Sequence, residues 1–168
     1  MSIKVQGKET GTSTPRMKAT VLRKWIDLVF DTYPPDTAAV LKSRGDRFAN
    51  PVSYTIVSNL GKILDGLLDG VELETLFPCL EEIIKIRAVQ DFTPEAAVCF
   101  MSLLKQAIIS EPGFKIADGM NVKIDRLSVS CIDIYNDCRN RIEIIRAREK
   151  EKSAINLQRM MGVLKEER

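Results

Sequence analysis

The sequence predicts an all-α fold, and three observations predict it. Apolar residues recur at three- and four-residue spacing through most of the chain, which makes one apolar face per helix. Two dipeptides, Asn50-Pro51 and Thr93-Pro94, pair a capping residue with a proline at the first helical position, where a missing N–H costs nothing. Strand-like alternation is absent over any useful length: Val5 and Val52-Ser53-Tyr54 are too short and too isolated. Five to seven helices are expected, in a single domain with a long last helix.

In chain order, residues 1–15 are rich in Gly, Ser, Thr and Lys and read as a flexible tail. From Arg16 the pattern turns helical: Val21, Leu22, Trp25, Ile26, Val29 and Phe30 form one face, and Pro34-Pro35 stops it. Pro35 or Asp36 opens a short helix through Ala38, Val40 and Leu41, and residues 42–49 connect. After Asn50-Pro51 a helix carries Ile56, Leu60, Ile63, Leu64 and Leu67, with Gly61 and Gly66 inside it. Each glycine weakens that helix by about 1 kcal/mol against alanine, and close packing is the favoured reason for keeping them. Gly70 is a natural left-handed stop. Residues 72–76 suit a short turn, and Pro78 begins or kinks the next helix.

That helix runs through Ile83, Ile84, Ile86 and Val89 and must end near Asp91-Phe92, because the residue before a proline, here Thr93, avoids the α region. Thr93 caps the following helix, which is expected to bury Val98, Met101 and Leu104 and to end at Glu111-Pro112-Gly113. Asn121 is the expected cap of the last helical region, which meets no Gly or Pro until Gly162. Ile124, Leu127, Cys131, Ile134 and Cys138 mark its inner face; residues 146–152 are almost all charged, and a hinge is plausible there. A helix over this whole region would span about 70 Å, far beyond one small domain. Ile155, Met160, Met161 and Leu164 would then be exposed, as at a subunit interface.

Composition narrows function more by exclusion than by assignment. The chain has 168 residues, 45% hydrophobic and 29% charged, with net charge +2, ordinary values for a globular protein. No run is long and apolar enough for membrane insertion, and the start of the chain has no apolar signal region, so a cytoplasmic location is expected. The basic residues near the start (Arg16, Lys18, Arg23, Lys24) are not interleaved with aromatics, so no nucleic acid is expected as a partner. There is no histidine. Histidine-held haem and Ser-His-Asp or Cys-His catalysis are thereby excluded. The four cysteines form no CxxC pair, and Cys131 and Cys138 would stand roughly 10.5 Å apart along one helix, too far for a disulfide. No metal and no cofactor are expected, and no enzyme activity.

One polar set interrupts the apolar turns: Arg47 and Asn50 before the third helix, Arg87, Gln90 and Asp91 at the central turn, and Tyr135 and Arg139 four residues apart on the last helix. Two readings stand. The set could line a pocket for a small anionic ligand, with Arg87, Gln90 and Arg139 as the contacts. Alternatively Arg87, Asp91 and Arg139 form an internal network of ion pairs and caps that holds the helix ends, which is the favoured reading. Arg87→Ala would cost roughly 2–4 kcal/mol if its partner is a buried carboxylate.

Three segments carry a family resemblance: Arg47-Phe48-Ala49-Asn50-Pro51-Val52-Ser53-Tyr54-Thr55-Ile56, Ile86-Arg87-Ala88-Val89-Gln90-Asp91-Phe92-Thr93-Pro94-Glu95-Ala96-Ala97, and Asp133-Ile134-Tyr135-Asn136-Asp137-Cys138-Arg139. Over roughly residues 24–149 the chain resembles the N-terminal domain family of RsbRD-type co-antagonists of RsbT, proteins of the bacterial stressosome. The resemblance implies a sensory or regulatory helical domain. The better-known RsbR sensor domains are dimeric, globin-like and haem-free, and a helix joins them to a C-terminal STAS domain. This chain stops at Arg168, without room for one. The expectation is therefore a stand-alone, non-enzymatic stress-response sensor or adaptor, homodimeric or bound to a protein partner. Its domain would span residues 16–148, with a helical extension over 149–168.

Overall fold

A computed structural model describes residues 15–43 and 48–166, with side chains to residue 161. The expected flexible tail over residues 1–15 lies outside it, apart from Pro15. Seven α-helices and one 3₁₀ turn follow in order: α1 (Pro15–Phe30), α2 (Pro35–Lys42), α3 (Pro51–Asp69), the turn (Leu73–Leu76), α4 (Phe77–Val89), α5 (Pro94–Val98), α6 (Phe100–Ile109) and α7 (Met120–Glu166). No strand occurs among the described residues.

The helix starts follow from the capping residues. Asn50 Oδ1 accepts from Ser53 N–H at 3.1 Å, and its amide donates to Val40 O at 2.8 Å, which ties α2 to the start of α3. Thr93 Oγ1 accepts from Ala96 N–H at 3.3 Å. We expect Asn50→Ala and Thr93→Ala each to lower stability by about 1 kcal/mol, read from the midpoint of urea unfolding; a loss below a few tenths in both would mean that packing alone sets these boundaries. Gly70 ends α3 at φ 73°.

Gly66 is there for packing. A Cβ on it would lie 2.6 Å from Leu76 Cδ2 and 3.0 Å from Val71 Cγ2, whereas one on Gly61 would meet only Leu22 at an ordinary 3.8 Å. Close packing therefore accounts for the first glycine and not for the second.

Three expectations are corrected. The helix that begins after Thr93 is not continuous, since it breaks at Cys99 into α5 and α6. The Ala96 carbonyl, which an unbroken helix would offer to Phe100 N–H, receives Arg87 Nη1 at 2.7 Å and the Cys99 thiol at 3.3 Å. Of the residues expected to be buried there, Met101 and Leu104 are, but Val98 is only half-buried. Asn121 is not the cap of α7: the helix springs from Gly119 at φ 85°, whose carbonyl accepts from Lys123 N–H at 3.0 Å, and Asn121 is exposed in the first turn.

One core joins every helix, from Val21, Trp25 and Val29 on α1 through Ile56, Leu60 and Ile63 on α3 to Ile124, Leu127 and Cys131 on α7. Helix α4 is packed between α3 and α7, and α1 lies along α6. Helix α7 runs 47 residues without the hinge expected at residues 146–152. Every described side chain from residue 143 to 161 is exposed.

Candidate functional site

The central turn between α4 and α5 is where the sequence's polar residues converge. Arg87 sits on the buried face of α4 with Leu80, Ile83, Ile84 and Ala88, and it is 0% exposed. Its side chain can only run inward, to the end of α1 and the start of α5. Nη1 donates to Ala96 O at 2.7 Å and approaches Cys99 Sγ at 3.9 Å; Nη2 donates to Thr32 Oγ1 at 2.9 Å and to Val29 O at 3.3 Å. Thr32 in turn donates its hydroxyl to Val29 O at 2.7 Å. Three rings surround the guanidinium carbon, with centroids at 5.2 Å (Tyr33), 5.1 Å (Phe92) and 5.7 Å (Phe100). No carboxylate pairs with Arg87 among the described residues.

A buried cation without a carboxylate needs other negative potential. Here the carbonyl end of α1 supplies part of it through the helix dipole, and the faces of the three rings supply more. Arginine suits the role because a guanidinium is weakly hydrated and planar. Arg87 Nε and Tyr33 Oη are both buried without a hydrogen-bond partner. Burial pushes the Tyr33 phenol up, while the Arg87 charge pulls against that. The phenol is thus neutral at ordinary pH. With the guanidinium fully enclosed, solvent ligands do not reach it in this structure.

The turn itself is a helix stop with an unusual residue in the left-handed position. Phe92 N–H donates to Arg87 O at 3.1 Å and Asp91 N–H to Ala88 O at 3.2 Å, the two bonds of a Schellman motif. The left-handed residue is Asp91 (φ 57°), where glycine is usual. The apolar contact that normally closes this motif is replaced by the Phe92 ring against Arg87.

The reason for aspartate lies on α7. Arg139 Nη1 donates to Asp91 Oδ1 at 2.7 Å and to Ala88 O at 3.1 Å. Arg146 reaches the same carboxylate at 3.4 Å. Tyr135 donates its hydroxyl to Phe92 O at 2.7 Å. Spacings of four and seven residues put these three side chains on one stripe of α7, and together they clasp the turn.

Arg139 holds the Asp91 carboxyl below the usual carboxylate range by its hydrogen bond, and Arg146 adds to this through its charge. The folded value is therefore lower than the unfolded one. The clasp's contribution is present above the ordinary carboxylate range and is lost as pH falls through the folded value. Titrating Asp91 by NMR should give a depressed midpoint that Arg139→Met moves back towards an ordinary aspartate and Arg146→Met moves back less. An ordinary midpoint in the parent chain would mean that the clasp is open in solution.

The polar set read from sequence thus divides. Asp91, Tyr135 and Arg139 meet at the clasp, and Arg87 lies behind it in the aromatic cage. Gln90 is exposed at the end of α4, Asn50 serves the α2–α3 junction, and Arg47 lies outside the described residues. The expected network is present for Asp91 and Arg139; Arg87 is held by carbonyls, a hydroxyl and rings instead of an ion pair. Thr32, Tyr33, Phe92, Phe100 and Arg146 were not anticipated at the site. Only Arg146 left a usable signal, standing seven residues from Arg139 on the same face. No group of three or more residues that could hold a metal ion occurs among the described residues. No helix among them is long and apolar enough to cross a membrane.

A buried arginine cage, a clasped turn and a long helix exposed over its second half mark this all-α domain, with its polar chemistry used to join helices. Residues 19–111 match the family model of the RsbT co-antagonist protein rsbRD N-terminal domain, more than half of the chain, and the chain belongs to that family. The match includes the first two resemblance segments, while the third, which carries Tyr135 and Arg139, lies beyond it. No curated protein and no solved structure matches the chain.

Proposed function

We propose that this chain is a non-enzymatic cytoplasmic signalling domain that acts through protein–protein contacts as a homodimer, with α7 as its output element. Family membership supports a stressosome-type signalling role. The observation that carries the rest is the division of α7: its first half packs on α4, α5 and α6, and residues 143–161 are exposed throughout. That exposed stretch includes Ile144, Ile145, Ile155, Leu157, Met160 and Met161. Large apolar side chains in such number on one projecting helix favour an interface, and methionine suits an adaptable one.

Light scattering on the full chain and on a truncation ending at Arg148 tests this. A dimer that falls to a monomer on truncation is the expected result. A monomeric full chain at micromolar concentration would refute the homodimer, and a dimeric truncation would move the interface to the packed helices.

A further inference from the structure

A cleft of about 620 Å³ opens between α3 and α4. That volume is within the range of roughly 300–1,000 Å³ typical of small-molecule clefts. Thr55, Ser58, Asn59 and Lys62 enter it from one stripe of α3, and Glu82 enters it from α4. Asn59 is a polar residue only 3% exposed in the middle of a helix. Its amide nitrogen donates to Thr55 O at 3.0 Å and to Glu82 Oε2 at 2.8 Å. Both partners are acceptors, so the amide cannot be turned round, and Oδ1 is directed away from them. That oxygen accepts no hydrogen bond among the described residues, and it is not one of the unpartnered atoms sealed in the interior, which are Tyr33 Oη and Arg87 Nε. It therefore opens on the cleft that Asn59 lines. Buried polar groups are as a rule bonded, so an unused acceptor here marks a place for a donor. The neighbouring hydroxyls are unused too. Elsewhere serine and threonine hydroxyls turn back onto their own backbone, as at Thr20, Ser110 and Ser128. Those of Thr55 and Ser58 make no hydrogen bond among the described residues.

The charges in the cleft are unlike and unpaired with each other. Of its two lysines, Lys85 already pairs with Glu81 at 3.3 Å, whereas Lys62 forms no ion pair among the described residues. Glu82 forms none either, and its partner is the Asn59 amide. Burial pushes the Cys79 thiol up, Lys62 pulls it down and Glu82 adds to the rise, so both charges are close to the same sulfur. A simple anion in this cleft would meet Glu82, and a simple cation would meet Lys62. A ligand that carries both charges meets each with its opposite. Ile86, one turn of α4 beyond Glu82, and Val52 add an apolar wall. We propose that this cleft binds a free α-amino acid with an aliphatic side chain. Its ammonium donates to Asn59 Oδ1 and Glu82, its carboxylate accepts from Lys62 and the Ser58 hydroxyl, and its side chain lies against Ile86 and Val52. The site stands apart from the signalling reading, and each can fail without the other.

The test is calorimetric titration of the full chain with leucine. Isoamylamine, which is leucine without its carboxylate, isocaproate, which is leucine without its amine, and glycine serve as comparison ligands. Saturable 1:1 binding of leucine is expected, at least about tenfold tighter than any of the three. Lys62→Met should remove the advantage over isoamylamine, because the carboxylate loses its counter-charge. Glu82→Gln should reduce the advantage over isocaproate, because the ammonium loses its own. Both side chains are exposed, so the variants keep the parent's melting temperature. Leucine uptake that does not saturate by about 10 mM, any comparison ligand binding as tightly as leucine, or preferences unchanged in both variants would overturn the proposal.

Discussion

Replacing Arg87 with alanine should lower the stability of this protein by about 3–5 kcal/mol. Three rings and a helix end would face a cavity, and cavities of that size cost several kcal/mol. The Ala96 carbonyl and the Thr32 hydroxyl would lose their donor in a dry environment, with a further penalty of about 1–3 kcal/mol for each group left unpaired. These costs overlap, because the surroundings partly relax. Arg87→Met separates shape from charge. It refills most of the volume and removes a buried cation whose desolvation is itself unfavourable, so its cost should be less than half that of alanine. Urea unfolding followed by circular dichroism gives both values. If methionine costs as much as alanine, the charge is the main support of the cage, and the carbonyls and rings around it are worth more than assumed here.

The second large effect should come from Trp25. It is fully buried on α1, and its indole Nε1 donates to Phe100 O at 2.6 Å, at the start of α6. Trp25→Phe keeps a ring in the core but removes that donor and part of the volume. A loss of about 2–4 kcal/mol is expected, combining an unpaired buried carbonyl with a small cavity. Because Trp25 is the single tryptophan, unfolding must again be followed by circular dichroism. A loss under 1 kcal/mol would mean that the Phe100 carbonyl finds another donor when α6 shifts.

Most of the helical framework was legible because its signals are local. Asn50-Pro51, Thr93-Pro94, Gly70 and Pro78 each act on their own neighbours, and each marks a boundary within a residue or two. The break at Cys99 was not legible, since no Gly or Pro stands there. It follows from a side chain twelve residues earlier that takes the Ala96 carbonyl. The start of α7 was misplaced for a related reason: Asn121 is a good capping residue, but Gly119 takes a left-handed turn just before it.

At the site, the sequence gathered Arg87, Asp91, Tyr135 and Arg139 into one set and suggested a network of Arg87, Asp91 and Arg139, of which the Asp91–Arg139 pair is present. A buried arginine suggested a buried carboxylate, and the answer was the end of α1 and three aromatic rings. Those groups come from separate parts of the chain, and backbone carbonyls have no signature in an amino-acid sequence. Asp91 was noticed as a polar residue at a turn. Its left-handed backbone, and Arg146 as a second partner beside Arg139, became visible only in three dimensions.

The geometry of α7 gives the clasp a mechanical meaning. Beyond Arg146 the helix continues for 20 residues to Glu166, a stiff arm of about 30 Å. A tilt of roughly 10° about the clasp would carry its tip by about 5 Å, close to the rise of one helical turn. A movement around Asp91 that tilted the helix by this amount would displace the tip far enough to change which residues a partner helix would meet. The arm gains travel in proportion to its length, so shortening it by half would halve the displacement while leaving the clasp intact.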